Sequence, residues 1–208
     1  MLCGMAEPGL RERKKRRTRE LIAATAARLF AERGYEQVSV LDVAAAAEVS
    51  EQSVYNHFPT KQELVLDRDE QLREHLTALI RDRPPGVSPA AAIRQTALEL
   101  LEELRTMDDA QVRGGLGYLS VRSPAIRRLA LEMTDRHADA IASVFAGASG
   151  GPALPVAKVH AIALTWVIQT ITDEVGRQTA AGQAPWQIAD ALAPTVSTIL
   201  DDLDAWPA

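Results

Sequence analysis

Residues 38 to 61, VSVLDVAAAAEVSEQSVYNHFPTK, decide how the rest of the chain is read. Ser39, Ser50 and Thr60 each precede a helix-compatible run, where a hydroxyl can accept a hydrogen bond from a first-turn N–H that otherwise lacks a partner. Thr60-Lys61-Gln62-Glu63 has the full capping-box pattern, and Ser39 with Asp42 comes close to one. The first helix marked this way is about two turns long. Its small side chains, Ala44 to Ala47, would let a second helix cross closely. That second helix carries Gln52, Ser53, Tyr55, Asn56 and His57, with little apolar content beyond Val54 and Phe58. A short helix this polar gains little from burial, and its exposed face suits the edges of base pairs in a major groove.

Working outward, the flanking sequence reads as helix throughout. Ile22, Ala26, Leu29 and Phe30 recur at one face of a helix expected from about Glu12 to Arg33, and Gly34 supplies its stop. After Thr60 a long helix is expected to continue to about Asp82, with Val65, Leu72, Leu76, Leu79 and Ile80 on one stripe, until Pro84-Pro85-Gly86 ends it. Ser88-Pro89 and Ser123-Pro124 both place a cap before a first-turn proline. Between the helices they open, a shorter element is expected from about Asp109 to Val121, and it contains Gly114, Gly115 and Gly117. Gly147 to Gly151 breaks the chain. A helix apolar nearly all round should then run from Pro155 to about Thr179, and a last segment from Pro185 to Leu203 should be kinked or split at Pro194. The expectation is an all-α protein: a disordered tail over 1–11, a three-helix helix-turn-helix module over 12–62, and, joined by the long helix, an all-helical ligand-binding and dimerisation domain over 63–208.

Charge divides along the same line. The 208 residues carry a net charge of −5, yet residues 1–61 hold ten Lys/Arg against eight Asp/Glu, and residues 11–19 (RERKKRRTR) hold seven basic residues and one acid. That run can neutralise phosphates, or simply form a solvated helix start, whereas the acidic remainder should stay off DNA. The sequence shows no apolar core of a signal peptide, and no stretch of 18 residues reads as apolar enough to span a bilayer. Cys3 is the only cysteine, so no intramolecular disulfide is expected and the compartment reads as reducing and cytoplasmic.

The stretch from Thr18 to Val65 strongly resembles the DNA-binding module of TetR-family transcriptional regulators. The likeness rests on Thr18-Arg19, on Ala26, Ala27, Leu29 and Phe30, and on Gly34-Tyr35, Ser39-Val40, Val43-Ala44 and Val49-Ser50. Val54-Tyr55, His57-Phe58, Thr60-Lys61 and Leu64 complete it. The remainder matches that family's ligand and dimer domain in helix number and length only. The resemblance implies a dimeric, ligand-responsive regulator, a repressor rather than an enzyme, on palindromic double-stranded operator DNA, released by a small, mostly apolar effector. It implies phosphate contacts from Ser39, Tyr55, His57 and Lys61, for which hydroxyl, phenol, imidazole and ammonium groups are suited. For Tyr55 and His57 packing inside the bundle is the alternative, and for Ser39 capping alone. Arg17, Arg19, Val40, Leu41, Ser50 and Ser53 complete the expected DNA-facing set, with Gln52 and Asn56 as base readers because an amide can bond adenine bidentately. Two positions depart from the family pattern. Glu48 replaces the turn glycine and must adopt a left-handed backbone or reshape the turn, and Leu41 stands where a basic or polar residue is common.

For the effector, Tyr118, Arg122, Met133, His137, Trp166, Gln169 and Thr170 are the expected lining, each with ordinary core or dimer packing as its alternative. The homodimer is expected through the last two helices. No cofactor and no metal is expected, since the four histidines show no HExxH spacing and Cys3 has no metal partner. Two further function classes are weighed: a helical enzyme, which no local nucleophile–base pattern favours, and an architectural or interaction protein that binds DNA without reading an operator.

Overall fold

The computed structural model describes residues 9–148 and 151–205, so Cys3 and most of the expected tail lie outside the described residues. Its helices are α1 (Leu10–Arg33), α2 (Val40–Ala46), α3 (Glu51–His57), α4 (Asp69–Arg81), α5 (Pro89–Thr106), α6 (Asp109–Arg113), α7 (Leu116–Arg122), α8 (Pro124–Gly147), α9 (Leu154–Ala180) and α10 (Pro185–Asp204). There is no strand among the described residues, and the fold is all-α.

The caps behave as their chemistry requires, with one reversal. Ser39 and Asp42 form the complete box: the Asp42 amide donates to Ser39 Oγ at 3.1 Å and the Ser39 amide to Asp42 Oδ2 at 2.7 Å. Asp42 is held below the usual carboxylate range, first by the Ser39 side chain and then by its amide. Thr60, the better box on paper, starts only a 3-10 turn over Gln62–Leu64, and α4 begins at Asp69. The expected continuous helix is therefore broken. Arg19 of α1 reaches across to the Asp67 carboxylate, with Nε 2.8 Å from Oδ1, and that tie falls inside the break.

Other boundaries moved as well. Helix α1 starts at Leu10, two residues inside the expected tail. The expected element over 109–121 divides at Gly114-Gly115, because Gly114 lies against the α1 backbone: a Cβ there would sit 2.4 Å from the Ala27 carbonyl oxygen. At Pro194 the opposite happens: α10 runs through without a split. Pro194 is exposed, and its missing N–H costs one backbone bond on the outer side.

Two clusters of buried side chains organise these helices. The larger joins α4, α5, α8, α9 and α10 around Leu76, Ile93, Leu101, Ile141, Val167, Ile188 and Leu200. The smaller holds Ile22, Phe30, Val43, Val54 and Phe58 of the first three helices, together with Leu64, and adds Leu119 of α7 and Ile126 of α8. The N-terminal module thus shares its core with the following helices. Two glycines bring α7 onto α9: a Cβ on Gly176 would lie 2.1 Å from the Gly117 carbonyl oxygen.

The expectation about membrane-spanning stretches needs correction. Helix α9, 27 residues long with a hydropathy of 1.4 over its most apolar 18-residue window, is long and apolar enough to cross a bilayer, although 44% of that window is buried inside the protein. It is apolar on more than one face because it packs against α7, α8 and α10 at once.

Candidate nucleic-acid interface

Helix α3 stands on two buried anchors, Val54 and Phe58, and turns its other residues outward. Ser50 caps it by accepting from the Ser53 amide at 3.1 Å. Gln52, Tyr55 and Asn56 are exposed, and Gln52 Nε2 donates to Asn56 Oδ1 at 3.1 Å. That bond links two exposed amides one turn apart and leaves the Gln52 carbonyl oxygen and the Asn56 amide hydrogens outside the pair's own bond. Beside α3, an open groove is lined by Ser39, Leu41, Glu51, Tyr55 and Lys61. Leu41 is 61% exposed, unusual for an apolar side chain beside so polar a helix. The turn between α2 and α3 does adopt the left-handed conformation, with Glu48 at φ 55°. The basic run opens α1, and Arg11 to Arg17 are exposed along it.

The structure divides the expected DNA-facing residues into exposed and engaged groups. Ser39, Leu41, Ser50, Gln52, Tyr55, Asn56 and Arg17 are exposed. Ser39 and Ser50 already serve as caps, and Ser53, half-buried, supplies the amide that Ser50 receives. Val40 is almost fully buried but borders the groove beside α3. Arg19 is engaged inside the module: Nη1 donates to the His57 carbonyl at 2.5 Å, and the guanidinium lies 4.2 Å over the Phe58 ring. Lys61 donates to the Tyr35 carbonyl at 2.6 Å with its ammonium 4.0 Å over the Tyr35 ring. Burial pushes the Lys61 pKa down, against the pull of Glu36. The His57 pKa is lowered by burial, then by Arg19 and Lys15, which favours the neutral ring.

The expected effector residues fall into separate settings. His137 is buried on α8, its Nε2 2.7 Å from Asp69 Oδ1, and Arg136 reaches the other oxygen of the same carboxylate at 2.9 Å. Burial works to raise the Asp69 pKa, but the hydrogen bonds from His137 and Arg136 prevail and hold it low. Gln169 is buried in a polar chain, accepting from Thr134 at 2.6 Å and donating to Asp173 at 2.6 Å, while Asp173 also pairs with Arg127. Met133 is buried, Tyr118 packs at the edge of the smaller core, and Arg122, Trp166 and Thr170 are exposed. A cavity of about 1010 Å³ does lie in this part of the molecule, but it is bounded by the ends of α4, α5, α8, α9 and α10, and none of these seven residues lines it. A sequence reading had no means of finding it, because a void between helix ends leaves no periodic signal. Among the described residues no group of His, Cys, Asp or Glu has a metal-holding arrangement.

A capped helix pair that presents a polar second helix beside a basic helix start defines a helix-turn-helix protein. Residues 22–67 match the family described as bacterial regulatory proteins, tetR family. The chain is similar to the HTH-type transcriptional regulator TcmR of Streptomyces glaucescens, at 34% identity over 55% of this chain and 51% of that protein. It is also similar to CymR of Pseudomonas putida, at 34% identity over 53% of this chain and 54% of that one. The chain thus spans about half the length of the curated relatives it matches. Among solved structures, NalD of Pseudomonas aeruginosa, a secondary repressor of a multidrug efflux pump, aligns with a TM-score of 0.55 at 20% identity over 92% of this chain and 100% of that one. A TetR-family regulator from Streptomyces coelicolor aligns with a TM-score of 0.55 at 20% identity over 96% of this chain and 100% of that one. These two alignments establish the fold alone.

Proposed function

We propose that the chain is a dimeric, effector-responsive transcriptional repressor that acts in the cytoplasm on palindromic operator DNA. The observation that carries this reading is α3: a helix anchored by Val54 and Phe58 whose exposed residues include two amides linked side by side. The linked pair offers an acceptor and donors together, the complement of adenine N6 and N7 in the major groove. Leu41, exposed on the neighbouring helix, offers an apolar contact suited to a thymine methyl. Ser39, Tyr55 and Arg17 hold the phosphates, Arg19 holds α3 in place, and Lys61 fixes the joint after it.

Dimerisation through α9 and α10 is supported by an apolar stripe: Val159, Ile162 and Trp166, at helical spacing on α9, are exposed, as is Trp186 on α10. The same stripe on a second copy would cover it about a two-fold axis, bringing two α3 helices to successive major grooves.

Selection of bound DNA from a random pool tests the reading. The expected product is an inverted repeat rich in A·T at the positions under α3, bound by a dimer in sedimentation. Salt-dependent binding with no preferred sequence would instead identify an architectural binder and overturn operator reading.

A further inference from the structure

We propose that the cavity at the far end of α4 binds the apolar chain of an anionic amphiphile, a molecule of the fatty-carboxylate class. Its volume of about 1010 Å³ is at the upper end for small-molecule sites. Its wall is mostly apolar, with Phe145, Val156 and Leu164 among the contributors. The fully charged side chains lining it are Arg81 and Arg83, and no carboxylate lines it among the described residues. An apolar bed with two guanidinium groups repels an ammonium, accepts a neutral chain indifferently, and favours a chain that ends in a carboxylate.

The two arginines are set differently. Arg83 is held by its own turn, Nη1 donating to the Ile80 carbonyl at 2.5 Å and Nε to the Val87 carbonyl at 3.2 Å. Its charge is therefore positioned before any ligand arrives, so little side-chain entropy is lost on binding. Arg81 is exposed, and its pairing with Asp82 at 3.5 Å is a loose surface contact. Such a pair is easily exchanged for a carboxylate anchored by a buried tail. Arg81 also ends α4, whose other end carries the Asp69 tie to Arg136 and His137 of α8. A head group drawn to Arg81 therefore acts on the helix that follows the DNA-reading module. This last step rests on the regulator reading above, whereas binding itself does not.

The 208-residue chain is titrated calorimetrically with decanoate, decanol and decyltrimethylammonium, each below its micelle concentration. Decanoate is expected to bind at least about tenfold more tightly than decanol, and the ammonium most weakly. Arg81→Gln should narrow the decanoate–decanol difference by about fivefold without changing the melting temperature, because Arg81 is exposed. Val156→Trp, at a lining position that is half exposed, should weaken both decanoate and decanol by obstructing the cavity. Equal affinity for the three probes overturns the proposal, as does a decanoate preference that Arg81→Gln leaves intact or decanoate binding that Val156→Trp leaves intact. Operator release is read separately on the selected DNA. Decanoate binding without release keeps the site and removes its regulatory role, and failure to select an operator leaves the calorimetric result standing.

Discussion

Two surfaces of this molecule are left uncovered, and they differ in kind. On α3 the exposed face is amide and phenol: Gln52, Tyr55 and Asn56. On α9 it is Val159, Ile162 and Trp166, the last 42% exposed. A polar face can stay in water indefinitely, so its exposure says only that it is available for hydrogen bonding. An apolar stripe in water carries a standing cost of about 25 cal/mol per Å² and calls for a partner. On the proposed reading the two faces take different occupants, DNA on one and a second copy on the other.

The comparison can be broken most forcefully where the two regions are joined. Gly176→Leu places a side chain into the α7 backbone, and a loss of about 3 kcal/mol or more, or failure to fold, is expected in urea unfolding. If the variant is as stable as the parent, α7 is not clamped against α9. Next in size, Ile162→Asp should give a monomer in sedimentation and weaken operator binding on the order of 100-fold, since a single head must bind alone. A dimer that survives this change would show that α9 is not the shared face.

On the polar surface the effect should be smaller and selective. Gln52→Ala is expected to cost about 1–3 kcal/mol at the preferred sequence and to relax the base preference. Arg17→Ala should instead weaken all sequences alike and reduce the salt slope by about one. Identical profiles for the two variants would erase the distinction between reading and positioning. Lys61 is a poor choice for such a test, because its bond to the Tyr35 carbonyl ties it to module stability.

The tie between α4 and α8 should appear in acid. The Asp69 pKa is lower in the folded chain than its usual 3.8, so its contribution is present above that value and is lost as pH falls through the folded pKa. Asp69→Asn should cost about 1 kcal/mol at neutral pH and flatten the stability curve below about pH 4, and an unchanged acid limb would show that the tie carries no stability. The smallest effect expected is at the turn: Glu48→Gly should gain about 0.5–1 kcal/mol by relieving the left-handed backbone at φ 55°, measured as a rise in urea midpoint.

Much of the architecture was legible because its causes are local. Ser39, Ser50, Ser88 and Ser123 each cap the helix they were expected to open, because a hydroxyl, its amide and the intervening residues lie within one turn. The Glu48 turn was marked by the resemblance, which places a glycine there, and of the two outcomes left open the left-handed backbone is the one adopted. The failures lie where distant groups compete. Thr60 opens only a 3-10 turn that stops at Leu64, and the break after it is where Arg19, 48 residues away, meets the Asp67 carboxylate. The Gly114 break depends on Ala27, on a different helix.

The sequence by itself determined most of the helices and the polar face of α3, since each follows from spacing along one segment. Tertiary structure decided which polar groups remain available. Arg19 and Lys61 are suited to phosphate but are engaged with backbone carbonyls, and His137 is suited to a ligand but is held by Asp69, 68 residues away. A buried or half-buried donor takes the acceptor that folding brings within about 3 Å, and that pairing is a property of packing and cannot be read from neighbours in the chain.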